Sequence, residues 1–372
     1  MIQIIFKPEL HKFATSSDFV KAFGLESQDL ILTNEYIFQP YFGQMGLKSQ
    51  VIYQERYGLG EPTDVMVDAI LHDARKTGCK RVIAIGGGTI IDIAKVLAVA
   101  EQETVDDLYA QGTNLTKKRG LVIIPTTCGT GSEVTNISII NRTRLGTKMG
   151  MVSPAMFADQ AILIPELLEK LPFGVFATSS IDALVHAVES ALSPKATSYT
   201  KLFSYKAVEM ILKGYQIIAA EGQGARIKLL DDFLAASNYA GLAFGTAGCG
   251  PVHAMSYPLG GQYHVAHGES NYAIFSGVLK NYRELKSGGE LARINSSMAA
   301  LLGCEQEEVY GALEGLLDTI LPRKALREYG VKKEDLPEFT RSVMEKQQRL
   351  MANSFVPLDY NRVLKIYQEL YD

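Results

Sequence analysis

Residues 81–100, RVIAIGGGTIIDIAKVLAVA, decide how the first half of this chain folds. An apolar run typical of a buried strand leads directly into Gly86, Gly87 and Gly88, and an apolar stretch at helical spacing follows. Glycines let the backbone approach a phosphate closely, and the amides at the beginning of a helix attract an anion. The stretch therefore predicts a strand, a phosphate-binding turn and a helix, although three glycines alone are also compatible with a simple tight turn.

Further apolar runs lie on both sides of this unit and alternate with helix-like stretches. Asp29–Thr33 (DLILT) and residues 120–125 (GLVIIP) are strong, residues 51–53 are weaker, and residues 161–165 (AILIP) are the last. Strands that alternate with helices predict a parallel α/β sheet. The glycine spacing departs from G-x-G-x-x-G, so we predict a Rossmann-like rather than an ordinary Rossmann domain.

The character of the sequence changes near residues 165–175, where apolar residues begin to recur at three- and four-residue spacing. This periodicity is typical of amphipathic helices. We therefore predict an α/β dinucleotide-binding domain, residues 1–170, followed by an all-helical domain, residues 171–372. The predicted helical segments are residues 181–192, 203–219, 228–240, 291–302 and 309–321.

The composition excludes several classes of protein. The 372 residues are 47% hydrophobic and 21% charged, with a net charge of −4 and no basic cluster. These values argue against binding to nucleic acid or to an anionic membrane. The chain has no apolar run near the ~20 residues of a membrane span, and early charged residues argue against a secretory signal. We therefore expect a cytoplasmic protein that acts on a small molecule, with its four separated cysteines reduced.

A second strand-end loop, residues 125–133 (PTTCGTGSE), is rich in glycine and hydroxyl side chains. Ligands of open α/β sheets bind beyond the carboxyl ends of the strands, and two such loops suit one dinucleotide. The hydroxyls could donate to its oxygens, or could instead satisfy the backbone of the turn. Besides the glycines, the residues predicted to bind the dinucleotide here are Thr89, Asp92, Thr126, Thr127, Thr130 and Ser132.

Asn34 follows the strand Asp29–Thr33, at the position where an acidic residue commonly accepts hydrogen bonds from the adenosine ribose. Its amide is uncharged and would repel a 2′-phosphate less than a carboxylate would. The choice between NAD and NADP therefore stays open, with NAD favoured because no basic residue follows directly. An ordinary turn residue is the alternative interpretation of Asn34.

Residues 179–192 (SSIDALVHAVESAL) are typical of a helix that begins at a serine cap. Asp182 and His186 then fall four residues apart on one face, where their side chains can reach a common ion or each other. Such a pair is also explained by a hydrogen bond between the two side chains, so it does not by itself indicate a metal.

Residues 250–271 hold His253, His264 and His267, half of the six histidines of the chain. A carboxylate together with several imidazoles suits a divalent transition metal, and an open coordination position would make such a site catalytic. Histidines that serve only to hydrogen-bond within the core are the alternative.

In order and spacing, these motifs resemble those of the iron-dependent (group III) alcohol dehydrogenases. The matching stretches are GGGTxxDxAK (residues 86–95), PTTxGTGSE (residues 125–133), DALxHA (residues 182–187) and the paired histidines. The resemblance covers nearly the whole chain. It implies a dinucleotide-binding α/β domain, an all-helical domain and an active site in the cleft between them.

The resemblance also implies roles for particular residues. Lys148 falls where the family often has a lysine near the nicotinamide ribose. Family members are often dimers or larger, so we expect a homodimer or a larger homo-oligomer. The implied ligands of the metal, with Fe(II) favoured and Zn(II) possible, are Asp182, His186, His253 and His267.

The sequence departs from the family pattern at one position near the predicted metal. Many members have a further histidine, often proposed as a proton relay, four residues after the first histidine of the carboxy-terminal pair. Tyr257 occupies that position here. We predict that the phenol of Tyr257 or the imidazole of nearby His264 takes part in proton transfer, with packing around the metal as the alternative role.

Residues 57–62 (YGLGEP) and 257–261 (YPLGG) are similar to those of family members that act on 4-hydroxybutyrate. The resemblance thus implies interconversion of 4-hydroxybutyrate and succinic semialdehyde by hydride transfer with NAD. A neutral short-chain alcohol or diol, or a dehydroquinate-synthase-like lyase reaction, is the alternative. A substrate carboxylate needs a cation, and the basic residues to consider are Arg142, Arg144, Lys148 and Arg349.

Overall fold

The computed structural model describes residues 2–372, and their contacts divide them into two compact units. One unit comprises residues 6–171; the other comprises residues 172–372 together with the amino-terminal residues up to Ile5. The backbone nitrogen of Ile5 donates to Thr246 Oγ1 at 3.1 Å, which attaches the first residues to the second unit. That residues 1–170 and 171–372 form two separate domains stays a prediction.

A six-stranded sheet forms the centre of the first unit, with strands in the order β1-β8-β5-β4-β2-β3 and every neighbouring pair parallel. An antiparallel pair, β6 and β7, lies outside it. The predicted parallel α/β fold is confirmed. The strands are β1 (Glu9–Lys12), β2 (Asp29–Thr33), β3 (Gln50–Tyr53), β4 (Arg81–Gly86), β5 (Gly120–Pro125), β6 (Ile137–Arg142), β7 (Thr147–Val152) and β8 (Gln160–Leu163).

The register of the central strands brings the two predicted loops together. Every residue of β2 is buried, as are all residues after the first in β4 and β5, which explains their continuous apolar character. Gly86, the last residue of β4, pairs with Pro125, the last residue of β5. The glycine turn and the threonine-rich loop therefore leave the sheet side by side.

The sequence analysis did not predict β1, β6 or β7. The edge strand β1 is mostly exposed and reads ELHK, and the antiparallel strands mix polar and apolar residues. These strands lack the apolar runs from which the others were predicted. The helices of this unit are α1 (Ser16–Phe23), α2 (Glu35–Phe42), α3 (Asp64–Thr77), α4 (Gly88–Val99) and α5 (Val105–Gln111).

The second unit is helical, as predicted. Among the described residues, no helix combines the length and apolar character that crossing a bilayer requires. Its helices are α6 (Phe173–Leu192), α7 (Ser198–Glu221), α8 (Leu230–Ala247), α9 (Pro251–Tyr263), α10 (His267–Leu285), α11 (Glu290–Leu302), α12 (Val309–Ile320), α13 (Leu336–Lys346), α14 (Gln348–Met351) and α15 (Tyr360–Glu369).

The predicted start of α6 was wrong. The helix begins at Phe173, and no side chain caps its first turn. Ser179 and Ser180 lie inside it, where their hydroxyls donate to the carbonyl oxygen of Phe176 at 3.1 and 2.7 Å. Serine can bond the carbonyl one turn earlier as readily as it caps a helix, so the residue type alone does not locate the end.

Candidate active site

Three helices of the second unit bring the predicted metal ligands together. Helix α6 carries Asp182 and His186, α9 carries His253, and α10 begins at His267. Asp182 Oδ1 lies 3.6 Å from His253 Nε2 and 3.7 Å from His267 Nε2, while Asp182 Oδ2 lies 3.8 Å from His186 Nδ1. The side chains of Asp182, His186 and His253 are buried, and that of His267 is 34% exposed. The cluster thus has one partly open side.

A glycine permits this approach of the helices. A Cβ atom at Gly268 would lie 2.0 Å from the carbonyl oxygen of Thr178 and 3.3 Å from the Cβ of Asp182. Any larger residue would push α10 away from α6. Gly268 therefore places His267 against Asp182.

Glu189 orients His253. Its carboxylate accepts hydrogen bonds from the backbone nitrogens of Gly250 (2.9 Å) and Val252 (2.6 Å) at the beginning of α9. It also lies 2.6 Å from His253 Nδ1. A carboxylate at Nδ1 makes that nitrogen the donor and leaves the lone pair of Nε2 facing Asp182. In the neutral imidazole, Glu189 thus leaves Nε2 available as a ligand atom that faces Asp182.

Asn271 contacts two further predicted ligands, Asp182 and His267. Its Nδ2 donates to Asp182 Oδ1 at 2.7 Å and lies 3.3 Å from His267 Nε2. Asn271 and Glu189 were not among the residues predicted from the sequence. Both follow a predicted ligand by about one helical turn, Asn271 after His267 and Glu189 after His186. Helical spacing from each ligand would have found them.

The electrostatics of the cluster fit a cation. Burial opposes ionisation of Asp182, but the neighbouring His186, His267 and His253 outweigh it and lower the pKa of the carboxyl group. Burial would likewise lower the pKa of His253, yet Asp182 and Glu189 raise it to about 9. The carboxylates of Asp182 and Glu189 therefore favour a positive charge at His253, which either a proton or a metal ion can supply.

The donor set also fits a metal. Among the described residues, His253 Nε2 has no hydrogen-bond partner although it is buried, and its 3.6 Å contact with Asp182 exceeds a hydrogen bond. Ligand atoms of Asp182, His253 and His267 lie within 4.8 Å of one another. A carboxylate and imidazoles at such separations match the ligands of Fe(II) and Zn(II).

Cys249 lies beside the cluster. Its Sγ is within 4.8 Å of the ligand atoms of His186 and His253. Burial raises the pKa of this thiol well above its usual value, and Glu189 and Asp182 raise it further. Burial and both carboxylates thus favour the protonated thiol over the thiolate, which is the form that binds metals.

The predicted proton-transfer residues occupy different surroundings. The ring of Tyr257 lies 6.3 Å from the ring of His267, next to the cluster. His264 is the left-handed C-cap of α9, with φ of 55°, and its side chain is exposed. No contact found among the described residues joins the side chain of His264 to the other histidines. The structure brings Tyr257 to the cluster and leaves His264 outside it.

In the first unit, the two strand-end loops approach each other at their glycines. A Cβ at Gly87 would lie 3.2 Å from Thr127 Cγ2, and one at Gly88 would lie 3.1 Å from Thr130 Cγ2. A side chain at either glycine would therefore crowd the opposite threonine, which would have to shift by a few tenths of an ångström. Helix α4 begins at Gly88 with Gly87 as its N-cap and no side-chain cap, so its first amides face outward from the turn.

The hydroxyl groups of the second loop have different partners. Among residues 2–372, Thr127 Oγ1 is buried without a hydrogen-bond partner. Thr130 Oγ1 accepts from the backbone nitrogen of Ser132 at 3.3 Å. The backbone nitrogen of Thr126 donates to the carbonyl oxygen of Gly86 at 3.1 Å. This hydroxyl therefore has a hydrogen bond left to make with a water molecule or a ligand atom.

Asp92 and Ser132 connect the loops rather than pointing freely at a ligand. Asp92 accepts from Ser132 Oγ at 3.1 Å and from the backbone nitrogen of Ile139 at 2.8 Å. The buried Lys95 donates to Ser132 Oγ at 2.6 Å and to the carbonyl oxygen of Ile137 at 2.7 Å. Lys95, which was not among the predicted site residues, thus fixes the threonine-rich loop to α4.

Asn34 contributes to a carboxylate site at the end of β2. Its Nδ2 donates to Gln54 Oε1 at 3.2 Å and to Glu55 Oε2 at 2.9 Å. The backbone nitrogen of Glu35 donates to the other oxygen of Glu55 at 2.6 Å. The sequence analysis missed Glu55, which supplies the negative charge that Asn34 lacks.

Lys148 and Thr89 lie near the same loop of the first unit. Lys148 Nζ forms an ion pair with Glu61 Oε2, and only 10% of the lysine side chain is exposed. Thr89 Oγ1 donates to the carbonyl oxygen of Gly60 at 3.2 Å. The loop of residues 58–61 thus holds both side chains next to the beginning of α4.

Comparison with known families agrees with this arrangement. The model of iron-containing alcohol dehydrogenases matches residues 4–165, and that of the carboxy-terminal region of the Fe-containing alcohol dehydrogenase family matches residues 176–371. The chain belongs to the iron-containing alcohol dehydrogenase family. It is therefore an oxidoreductase, and the predicted family is confirmed.

Individual relatives of this alcohol dehydrogenase cover almost all of it. It is 44% identical to the 4-hydroxybutyrate dehydrogenase of Clostridium kluyveri over 98% of both chains. It is 35% identical to long-chain-alcohol dehydrogenase 1 of Geobacillus thermodenitrificans over 89% of this chain and 88% of that protein. The fold matches the structure of sulfoacetaldehyde reductase from Bifidobacterium kashiwanohense in complex with NAD+, with a TM-score of 0.86 and 24% identity, covering 100% and 99% of the two chains.

Proposed function

We propose that this enzyme interconverts 4-hydroxybutyrate and succinic semialdehyde by hydride transfer with NAD. The observation that carries the proposal is its 44% identity to the 4-hydroxybutyrate dehydrogenase of Clostridium kluyveri along 98% of both chains. The helical unit supports it with the cluster of Asp182, His253 and His267. The nicotinamide supplies the hydride chemistry, while the protein positions the substrate oxygen.

The proposed metal ligands are Asp182, His186, His253 and His267, and the family name favours Fe(II) over Zn(II). A divalent ion bound there would act as a Lewis acid on an alcohol or aldehyde oxygen. Glu189 and Asn271 hold the ligands in the orientation that this chemistry needs. Tyr257, whose ring lies beside that of His267, is the proposed proton carrier. It is preferred over His264, whose side chain is exposed at the end of α9.

The proposed dinucleotide site consists of the glycine turn, the hydroxyl groups of Thr126, Thr127 and Thr130, and Lys148 beside Glu61. We propose NAD rather than NADP because Glu55, fixed by Asn34 and by the backbone nitrogen of Glu35, places a carboxylate at the end of β2. Such a carboxylate accepts hydrogen bonds from ribose hydroxyls and repels a 2′-phosphate. Glu55→Gln is expected to improve the use of NADPH relative to NADH.

The test uses enzyme purified without chelator and loaded with Fe(II) or Zn(II). Oxidation of NADH is followed with succinic semialdehyde and with butyraldehyde, for wild type, His267→Ala and His72→Ala. His72 is an exposed residue of α3 and serves as the matched control. We expect strong preference for succinic semialdehyde, an inactive His267→Ala enzyme and a normal His72→Ala enzyme.

Other results would redirect the proposal. Equal rates with the two aldehydes would indicate an alcohol dehydrogenase for neutral alcohols or diols. An enzyme that oxidises neither NADH nor NADPH with either aldehyde would show that this alcohol dehydrogenase acts on a different alcohol or aldehyde. We also propose a cytoplasmic location and a homodimeric or larger assembly, and sedimentation of the loaded enzyme measures the latter.

A further inference from the structure

Cys249 lies in the short segment between α8 and α9, next to the proposed metal ligands. Its Sγ and one ligand atom each of His186 and His253 lie within 4.8 Å of one another, and we call these three residues the sulfur triad. Ligand atoms of Asp182, His253 and His267 also lie within 4.8 Å of one another and form the aspartate triad. The structure therefore offers two overlapping groups of metal ligands.

The two triads exclude each other because they share His253. The carboxylate of Glu189 lies 2.6 Å from Nδ1 of this histidine, so Nε2 is the nitrogen left for a metal. Nε2 is buried and has no hydrogen-bond partner among residues 2–372. An ion held by one triad therefore takes the ligand that the other triad needs.

The imidazole rings of the sulfur triad are held by aromatic packing. The ring of His186 stacks on that of Phe244, with centroids 4.3 Å apart and planes inclined by 18°. It also stacks on the ring of His253, with centroids 4.5 Å apart and planes inclined by 24°. The planes of both imidazoles are thus fixed before any ion binds.

The segment that carries Cys249 is fixed on both sides. Its carbonyl oxygen accepts a hydrogen bond from Asn353 Nδ2 at 2.8 Å. The backbone nitrogen of the next residue, Gly250, donates to Glu189 Oε2 at 2.9 Å, and the same oxygen lies 2.6 Å from His253 Nδ1. The backbone of Cys249 and the ring of His253 are therefore held next to each other by contacts that need no metal.

The two triads differ in donor type and in exposure. Sulfur with two imidazoles suits thiophilic ions such as Zn(II) and Cd(II), whereas a carboxylate with two imidazoles also suits Fe(II). All three residues of the sulfur triad are buried, while the side chain of His267 in the aspartate triad is 34% exposed. A catalytic site keeps an open position and a closed site does not. Only the aspartate triad has that open side.

We propose that the sulfur triad is a second, inhibitory metal position that takes a thiophilic divalent cation, Zn(II) or Cd(II). An ion bound there withdraws His253 from the aspartate triad, so Fe(II) leaves the side of the cluster that is open. The inference shares His186 and His253 with the proposed metal site and does not depend on which alcohol is the substrate.

Binding at Cys249 is an exchange of a proton for a metal ion. The sulfur–metal bond forms as the S–H bond breaks, the proton leaves to solvent, and no electron is transferred. The carboxylates of Asp182 and Glu189 favour the proton while no ion is present. The charge of a bound divalent cation reverses this preference, because a coordinating thiol is deprotonated outright.

The test titrates the Fe(II)-loaded enzyme with Cd(II). The ultraviolet charge-transfer band of a cadmium–thiolate bond and the release of iron are both followed. We expect the band to grow as iron is released from wild type. Cys249→Ser should lack the band and should need at least about 10-fold more Cd(II) to release iron. Cys304→Ser is the matched control, because Cys304 is the cysteine that is not buried, and it should behave as wild type does.

Two further variants separate the sulfur ligand from the fold. His267→Ala breaks the aspartate triad alone, so it should bind Fe(II) poorly and still give the cadmium–thiolate band. Cys249→Ala should lack the band and still bind Fe(II), measured by elemental analysis.

A band that is absent in wild type, that survives in both Cys249 variants or that disappears in His267→Ala would overturn the inference. No substrate enters these measurements, so each of these results would leave the proposed function intact. Equal rates with succinic semialdehyde and butyraldehyde would, in turn, overturn the proposed function and leave the second metal position intact.

Discussion

The proposed metal cluster and the proposed dinucleotide-binding loops would hold their ligands in opposite ways. The cluster uses side chains from three helices, buried with their charges and oriented by Glu189 and Asn271. The loops use backbone amides, glycines and hydroxyls, and they are fixed by Lys95 and Asp92. A buried charge that lacks its partner costs much free energy, so the side chains of the cluster must keep their positions. In a site made of backbone and hydroxyl groups, each hydrogen bond contributes only a small part of the binding free energy.

This difference implies different responses to substitution. One misplaced side chain in the cluster leaves a buried charge without its partner, so the loss should be large. One missing hydroxyl in the loops removes one hydrogen bond among several, so the loss should be graded. Single substitutions in the two regions therefore test whether the cluster loses more activity per substitution than the loops do.

The largest effect is expected at Gly268. In Gly268→Ala, the new Cβ would meet the carbonyl oxygen of Thr178, and α10 must move with His267. Because displacements near 1 Å at a catalytic site cost about 100-fold, turnover should fall by at least about that factor. Gly315→Ala, in α12 with no atom within 4 Å of its Cβ, is the control and should be fully active. Metal content by elemental analysis and NADH oxidation measure both variants.

Glu189→Gln should have the next largest effect. In glutamine, an NH2 group that cannot accept a hydrogen bond replaces one carboxylate oxygen. The side chain therefore loses the hydrogen bond from Gly250 or from Val252 and no longer fixes the tautomer of His253. Affinity for the metal should fall about 10- to 100-fold. Titration against a chelator gives the affinity. Glu290→Gln, which removes a carboxylate paired with Lys201 away from the cluster, should leave it unchanged. Equal affinities in the two variants would contradict the orienting role of Glu189.

A smaller effect is expected at Thr127. Thr127→Val removes a buried hydroxyl that has no partner among the described residues and keeps the methyl group beside Gly87. The dissociation constant for NADH, measured by fluorescence titration, should rise about 5- to 10-fold. The free energy of unfolding of the protein without cofactor should not fall. Thr319→Val, in α12, should not change NADH binding. Unchanged NADH binding in Thr127→Val would show that the dinucleotide does not use this hydroxyl.

The same contrast explains what the sequence could predict. The resemblance to the iron-dependent alcohol dehydrogenases pointed to Asp182, His186, His253 and His267 as one group, and the fold brings these side chains together, while their role as metal ligands stays a prediction. The strands β2, β4 and β5 were predictable from their continuous apolar runs. Both kinds of signal are local in the sequence.

Features that depend on distant pairs were missed. Glu189 acts on a residue 64 positions later, and Lys95 reaches Ser132 across 37 positions. Glu55 supplies its charge to the end of β2 from beyond β3, so Asn34 looked like an uncharged site. Only the folded chain shows which charges are already paired.

The last expected effect is on stability rather than on turnover, and it concerns Lys95. Burial lowers its pKa from 10.5 to about 8, although Asp92 and Glu133 oppose the shift. Between pH 8 and 10.5 the unfolded chain keeps a proton that the folded chain has lost, so this residue makes stability rise with pH. The free energy of unfolding of wild type minus that of Lys95→Met should therefore increase across this range, by at most about 1.4 kcal/mol per pH unit. The exposed Lys80→Met should give a flat difference. A flat difference for Lys95→Met as well would show that this lysine stays charged in the folded protein, and that the loops, like the cluster, are held by a buried charge.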